Sequence, residues 1–482
     1  MSQLIIYSTA FLILIGMSVA ISISSLAVKF FVISSLSLLC LPFITALQRK
    51  QLDIFAPIWF FTILYTLGYG YKATLIIFNP EDFITFPTYF PNDLEFITYA
   101  FFLSFLGLIA FYLGYLSQFY RLVIKYLPHL GTTTIHEKRL CFASLFGISI
   151  GILAFLALIQ SISTEIDWKN VPSILFNAVI RQAIMSQLIG HGFLFFPLTL
   201  VPFFALVYIY YILQKDIRTS IDYIIALLII AIVILAVGVL GGRMLLMSLL
   251  IGVATLYHYR VRRIRILIGL ALMLIAGLLA GILGVMLTSP YDTYPGISFY
   301  KMSRSLSATF EFFDELVTAI VHVKGFFGGV TILEDFVYTY LPRALFPGKP
   351  LIYGQVKLQE AILPGLYAES GFSNTMTMGI LAEGYANFGV PGVLLLPALL
   401  GIFLRGLYEK ARKERGLYLV IYAFSFGSML NTLRGFGSYI ITSLIFIGVC
   451  WLFYKTRLGL PVPQRQGLVR SQTHGFETSG IQ

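Results

Sequence analysis

Long apolar stretches alternate with clusters of Lys and Arg along this chain, and that alternation constrains the fold more than any other feature. Hydrophobic residues make up 58% of the 482 residues and charged residues 11%, whereas soluble proteins carry about 25% charged residues. A helix needs about 20 mainly apolar residues to cross a bilayer. We therefore predict an all-α polytopic membrane protein with about twelve transmembrane helices. The predicted spans are 4–24, 26–47, 54–74, 96–117, 140–161, 193–213, 222–240, 244–259, 264–288, 388–406, 417–433 and 437–454.

The distribution of positive charge predicts which side of the membrane each loop faces. With the N-terminus in the cytoplasm, six cytoplasmic segments hold 21 of the 33 Lys and Arg residues. These segments are 48–53, 118–139, 214–221, 257–265, 405–416 and 455–482. The opposite loop 79–95 has no Lys or Arg and four acidic residues. This is the positive-inside bias, so we predict that both termini are cytoplasmic and that the net charge of +11 implies no nucleic-acid partner.

The chain is expected to form a single membrane domain over residues 1–458, followed by a polar cytoplasmic tail, 459–482, of a composition that favours disorder. Two loops on the outer side are long enough to have functions of their own, 162–192 and 289–387. Within the second, residues 301–324 follow a helical period that separates a polar line from an apolar face. This amphipathic helix either lies at the interface with its charged face in solvent or presents Arg304, His322 and two carboxylates to a cavity.

Ionisable residues are nearly absent from the predicted spans, so a proton or substrate path through the middle of the membrane is disfavoured. The charges lie instead at the outer ends of helices and in the large outer loop. Arg243 follows two glycines, and Arg434 stands in Thr-Leu-Arg-Gly-Phe-Gly, each at a turn between spans. Glycine allows close approach of a ligand and Arg binds phosphate with two hydrogen bonds. Converging outer-face Arg residues would bind a lipid diphosphate head group.

Several common catalytic sites are excluded by their missing motifs. The sequence has no Gly-rich nucleotide loop ending in Gly-Lys-Ser/Thr, no His-Glu-x-x-His, no Cys-x-x-Cys and no Asp-x-Asp. We therefore predict neither a metal site nor a cofactor. A sugar donor for this chain would be linked to lipid rather than to a nucleotide.

Two segments of the second half resemble a known family. Residues 341–350, Leu-Pro-Arg-Ala-Leu-Phe-Pro-Gly-Lys-Pro, lie in the large outer loop, and residues 381–389, Leu-Ala-Glu-Gly-Tyr-Ala-Asn-Phe-Gly, precede a span. With Gly241-Gly242-Arg243, they resemble the Wzy-type O-antigen or oligosaccharide repeat-unit polymerases, of the O-antigen polymerase and ligase superfamily. Some of these carry an Arg-x10-Gly motif in each of two periplasmic loops. Here Arg181 precedes Gly192, and Arg343 precedes Gly354, by that interval.

The resemblance implies a metal-independent glycosyltransferase with a GT-C-like fold in the bacterial inner membrane, with its active site facing the periplasm. Its substrates would be undecaprenyl-diphosphate-linked oligosaccharides, and the growing glycan would be transferred to the non-reducing end of a new lipid-linked unit. Membrane lipid surrounds such an enzyme, and a polysaccharide chain-length regulator is a common partner.

That reaction needs cations for the leaving diphosphate and a base for the acceptor hydroxyl. Our first candidates for binding the diphosphate are Arg243, Arg343 and Arg434, followed by Arg181, Arg304 and Lys349. The candidate bases are Glu383, His322, Glu369 and Asp335, and the sequence does not choose among them. Glu383 stands where the outer loop returns to the membrane; as an alternative, it would only stabilise the start of its own helix.

Two other functions remain open at this point. An O-antigen ligase performs the same chemistry on a different acceptor, a lipid A core. A flippase or exporter of lipid-linked oligosaccharide would perform no chemistry and would hold cations at mid-membrane depth, where this sequence has very few charges.

Overall fold

The computed structural model describes residues 53–65, 68–69, 94–130, 137–162, 192–215, 219–239, 243–265, 268–269, 312–338, 341, 346–362, 364–365, 378–429 and 435–455. These residues form helices and no strands. The helices are α1 Pro57–Tyr65, α2 Leu94–Leu116, α3 Tyr120–Tyr126, α4 Glu137–Ile162, α5 Gly192–Gln214, α6 Ser220–Val239, α7 Arg243–Arg260, α8 Phe312–His322, α9 Val330–Tyr338, α10 Gly354–Ile362, α11 Ile380–Phe388, α12 Val390–Glu414, α13 Gly416–Gly427 and α14 Phe436–Lys455.

Within the described residues, three helices are long and apolar enough to cross a membrane. They contain Tyr99–Leu116, Leu140–Ala157 and Val390–Glu414, which fall on three of the predicted spans. Four further apolar helical stretches are shorter: Leu200–Gln214, Ser220–Val233, Gly416–Gly427 and Tyr439–Leu452. The protein is thus an all-helical chain with membrane-spanning character. The count of twelve stays a prediction, since spans 4–24 and 26–47 lie outside the described residues and 264–288 lies almost entirely outside them.

Helices α2 and α12 form the central pair, and small residues let their backbones approach closely. A methyl group added at Gly401 would lie 2.4 Å from the Phe111 carbonyl oxygen and 2.7 Å from the Tyr115 nitrogen. On the opposite side of the contact, a methyl group at Gly114 would lie 2.0 Å from the Ala398 oxygen. Lipid provides no hydrophobic force between helices, so association depends on such close packing.

We expect Gly401→Val to reduce the amount of folded protein severely, because the two helices must separate to admit the side chain. Overpacking of a tight contact typically costs about 1–3 kcal/mol. The matched control is Gly448→Val on α14, where an added methyl group meets nothing within 4 Å. Fluorescence-detected size exclusion of both variants checks this, and equal monodisperse yields would contradict it.

One end of the bundle is tied together by Asp53. The Tyr259 hydroxyl donates to Asp53 Oδ2 at 2.8 Å, the Tyr408 hydroxyl approaches the same oxygen at 3.4 Å, and His258 Nε2 lies 3.4 Å from Oδ1. The charge pattern predicts that these three segments face the same side of the membrane, and here they meet. Which side this is stays a prediction.

The segment predicted as the large outer loop contains four short helices, α8 to α11, in its described part. Helix α8 lies within the predicted amphipathic segment, but one interpretation of that segment is wrong. A solvated charged face was one of its alternatives, whereas Phe312 to Ala319 are buried on every side. Glu315 is 2% exposed, and its Oε2 accepts the Gly379 N–H at 2.5 Å. Glu315 therefore makes an internal contact between α8 and the start of α11.

Helix α11 occupies the centre of this outer region, with different neighbours on each face. Ala382 and Ala386 pack against Ala319 of α8 and Leu358 of α10. Leu381 faces Gly107 of α2, where a methyl group would lie 2.6 Å from its side chain. The remaining face carries Glu383 and Asn387. Residues spaced four apart share a helix face, so this short helix presents separate pairs to separate neighbours.

Candidate active site

Glu383 joins two of the sequence segments that were singled out above. It lies on α11, within the Leu-Ala-Glu-Gly-Tyr-Ala-Asn-Phe-Gly segment, and its carboxylate meets the Gly-Phe-Gly residues at the start of α14. The Phe436 N–H donates to Glu383 Oε2 at 2.6 Å, and the Gly437 N–H also donates to this carboxylate. The first amides of a helix have no partner inside the helix and carry partial positive charge. Glu383 therefore caps α14, a distant helix in the sequence.

Asp335 on α9 occupies a site for which Gly354 leaves the space. The Gln355 N–H donates to the Asp335 carboxylate. A methyl group at Gly354 would lie 1.8 Å from Asp335 Oδ1, and the φ angle of Gly354 is +55°, a conformation that glycine adopts without strain. The glycine of the second Arg-x10-Gly motif thus leaves room for a carboxylate.

The neighbouring Glu334 fixes the same turn from its other side. Its Oε2 accepts the Gly354 N–H at 3.0 Å, and its Oε1 pairs with Lys357 Nζ at 2.7 Å. Two adjacent carboxylates of α9 therefore hold the first turn of α10. Glu334 is ion-paired, and Asp335 is not ion-paired to any described residue.

Gly437 lies between Asp335 and Glu383 and brings the two carboxyl groups into one site. A methyl group at Gly437 would lie 3.4 Å from Asp335 Cβ and 3.6 Å from Glu383 Oε1. Asp335 is 5% exposed and Glu383 is 1% exposed. Three helices, α9, α11 and α14, thus converge on a buried carboxyl pair.

Each acid keeps one oxygen free. Glu383 Oε1 and Asp335 Oδ2 are buried and have no hydrogen-bond partner among the described residues. Buried polar atoms in folded proteins nearly always have a partner, and the exceptions need an explanation. These two oxygens are therefore the positions at which a proton, a water molecule or a substrate hydroxyl would bind.

Both carboxyl groups hold their protons unusually tightly. Burial raises the pKa of Asp335 to about 7, against the opposing hydrogen bond from Gln355. Burial and then the charge of Asp335 raise the pKa of Glu383 to about 8, against the two amide hydrogen bonds of α14. Near neutral pH the pair can therefore hold a proton that isolated carboxyl groups would have released. Buried acids with raised pKa values are typical of acid–base sites.

The raised pKa values predict that the folded protein loses stability as the pH rises. Unfolded Asp and Glu ionise near 3.8 and 4.5, so above those values the folded chain retains protons that the unfolded chain has released. The contribution of these two acids to stability is therefore fully present below those values, and it is lost as the pH rises from them through about 7 and 8. We expect the melting temperature of the purified protein to fall by a few degrees over that interval. The double variant Asp335→Asn, Glu383→Gln should show a flatter profile, and an equally steep one would contradict this.

Asn387 fixes the chain that leads into α9. Its Oδ1 accepts the Gly329 N–H at 3.1 Å and lies 3.0 Å from the Thr331 hydroxyl, while its amide nitrogen donates to the Glu383 carbonyl at 2.8 Å. The backbone adds two bonds, from Phe327 N–H to the Ala386 oxygen and from Gly328 N–H to the Asn387 oxygen. One turn of α11 thus positions Glu383 and the start of the helix that bears Asp335.

The structure brings two of the four candidate bases together, Asp335 and Glu383. His322 lies elsewhere, at the end of α8, where it lines a cavity with Val323, Phe327 and Ile362. Glu369 lies outside the described residues, as do four of the candidate diphosphate ligands. These are Arg181, Arg304, Arg343 and Arg434.

Two remaining cations have a described position. Arg243 is the first residue of α7, and its side chain lies outside what the structure describes. Lys349 Nζ donates to the Leu341 oxygen at 3.0 Å and lies 4.7 Å from the centre of the Tyr353 ring. Lys349 therefore braces the 341–353 turn. In the described part of the chain, no group of three or more His, Cys, Asp or Glu residues is arranged to hold a metal ion.

Sequence reasoning did not assign Gly437 and Asn387 to this site, and it named Gly354 only as part of the second Arg-x10-Gly motif. Each stands inside a segment that had been singled out for another residue, the glutamate or an arginine. Their signal was therefore present, but their partners are 19 to 102 positions away along the chain, and no local period reveals such contacts. No family model matches the chain, and neither the curated proteins nor the solved structures give a significant match.

Proposed function

We propose that the chain polymerises lipid-diphosphate-linked oligosaccharide repeat units at the outer face of a bacterial inner membrane. The observation that supports this most is the buried Asp335–Glu383 pair, held where Glu383 of the segment 381–389 meets Phe436 and Gly437. These residues belong to two of the segments from which the function was first inferred. A transfer to a sugar hydroxyl needs a base that ionises near neutral pH, and the pKa of Asp335, raised by burial to about 7, meets that need.

In the proposed reaction, the acceptor hydroxyl oxygen attacks the anomeric carbon of the donor glycan. The bond between that carbon and the diphosphate breaks, and its electron pair leaves with undecaprenyl diphosphate. The hydroxyl proton passes to Asp335 Oδ2, the more exposed acid of the pair. Glu383 stays protonated and holds α14 in place beside the reaction, so it is a positioning residue.

The diphosphate would gain negative charge as it leaves, and preorganised cations and amides stabilise such charge. Arg434 stands two residues before Phe436 in the sequence, so it belongs to the segment that Glu383 binds. Arg343, Arg243, Arg181 and Arg304 remain further candidates for this role, with Lys349 as a weaker one since it contacts the Leu341 carbonyl oxygen and the Tyr353 ring.

The test is formation of a glycan ladder in a polymerase-deficient host with a matching repeat unit. We expect the intact chain to restore the ladder and Arg343→Ala and Glu383→Ala to lose it at equal expression. If no ladder forms while single repeat units still reach the outer face, polymerisation is excluded and a ligase acting on lipid A core becomes the better candidate. If repeat units fail to reach that face without the protein, it acts as a flippase.

A further inference from the structure

A polar cavity lies on the other side of α11 from the carboxyl pair. It has a volume of about 420 Å³ and lies between the last turn of α8 and the last turn of α10. His322, Lys324, Phe327, Ile362 and Pro364 are among its lining residues. Small-molecule sites typically have volumes of about 300–1,000 Å³ and combine apolar walls with a few polar groups, and this cavity meets both conditions.

The charge of the lining is positive. Lys324 is exposed and contacts no described acidic residue, and His322 is also a lining residue, while none of the described lining residues is acidic. The closing turns of α8 and α10 also supply backbone carbonyl groups, since the last carbonyls of a helix have no partner inside it. Such a site offers donors to a negative group and acceptors to hydroxyl groups.

The remaining walls are apolar, and one of them is aromatic. Phe327 is half-buried, and its N–H donates to the Ala386 oxygen at 3.1 Å, which fixes this wall to α11. An aromatic side chain packs well against the C–H face of a sugar ring. Hydroxyl groups, a ring with an apolar face and a negative substituent occur together in acidic sugars.

The cavity and the carboxyl pair are connected through α11. Ala386, which holds the Phe327 wall, follows Glu383 by three residues, about 4.5 Å along the helix axis. The two sites lie on different faces of this helix, so a substrate that occupied both would have to pass around α11.

We propose that this cavity is a subsite for an acidic sugar of the glycan substrate, so that the repeat unit contains a sugar with a carboxylate. This assignment rests on the proposed function, because it names the substrate class of the proposed polymerase. The binding itself is independent of turnover and can be measured without it.

The test is equilibrium binding to the full-length protein in lipid nanodiscs, measured by saturation-transfer NMR. The probes are a disaccharide that contains glucuronic acid, the same disaccharide with glucose in its place, and methylene diphosphonate. We expect the acidic disaccharide to bind about tenfold more tightly than the neutral one, because a hydrogen bond to a charged group adds that much affinity. Lys324→Gln should remove the preference and leave neutral binding unchanged.

The matched control is Lys413→Gln, an exposed lysine near the end of α12, which should keep the preference. A second variant, Phe327→Leu, should weaken both disaccharides alike. Equal binding of the two sugars, no binding of either, or a preference that survives Lys324→Gln would overturn the assignment. Displacement of the acidic sugar by methylene diphosphonate would identify the cavity as a phosphate site instead. Acidic-sugar binding without any glycan ladder would leave the subsite standing and exclude the polymerase.

Discussion

Asp335→Asn is expected to reduce ladder formation by at least about a hundredfold, the usual loss when a general base is removed. Asparagine has nearly the same size and can still accept the Gln355 N–H, so the turn at Gly354 should persist. The amide cannot take up the proton of an acceptor hydroxyl. The measurement is ladder length and amount at equal membrane levels of the two proteins.

The matched control is Glu360→Gln on α10, whose Oε2 accepts the Gly365 N–H, a contact that the glutamine oxygen can keep. This variant should retain full activity. Full activity of Asp335→Asn would show that Asp335 is not the base, and the assignment would then pass to Glu383 or Glu369.

Two substitutions of Glu383 distinguish a positioning role from a role as the proton acceptor. Because its pKa is raised to about 8 by burial, it is protonated near neutral pH, and glutamine resembles that form. We therefore expect Glu383→Gln to lose less than about tenfold in activity. Glu383→Ala should lose the ladder, because the amides of Phe436 and Gly437 would then be left unpaired. A loss in Glu383→Gln as large as that in Asp335→Asn would make Glu383 itself the proton acceptor.

Gly354→Ala is a further change for which we expect a near-complete loss of activity. The added methyl group would lie 1.8 Å from Asp335 Oδ1, and a φ angle of +55° strains any residue with a side chain. Such strain costs about 1–3 kcal/mol, and Asp335 must also move. The base would be displaced even where the helices around it remain folded.

Gly348→Ala is the control in the same turn, since a methyl group there meets nothing within 4 Å. Both variants should insert at normal levels, and ladder assays together with thermal unfolding separate displacement of Asp335 from general unfolding. Normal ladders from Gly354→Ala would mean that the Asp335 position is not needed for the reaction.

The sequence predicts the long helices well for a simple physical reason. A bilayer requires about 20 apolar residues in each span, and this length is visible in any window of sequence. The predicted spans 96–117, 140–161 and 388–406 therefore fall on α2, α4 and α12.

The outer region is less predictable because its short helices pack against one another. The period of residues 301–324 separates charged from apolar faces, but it does not reveal that Glu315 would be buried against the Gly379 amide. For the same reason the sequence identifies Glu383 as a candidate acid but does not identify the residues of α9 and α14 that contact it. Lys349 illustrates the converse: a cation in a suggestive motif contacts a nearby carbonyl oxygen and an aromatic ring.

Helix α11 has a consequence for how such a chain can change during evolution. Within its nine residues, Ala382 and Ala386 must pack against α8 and α10. Glu383 and Asn387 must contact α9 and α14. Inserting one residue turns everything after it by about 100°, which would exchange those faces. Helices that face lipid tolerate many apolar substitutions, because lipid accepts any apolar side chain. Substitutions over most of the chain would therefore be tolerated, while an insertion within this short segment would move Glu383 away from α14.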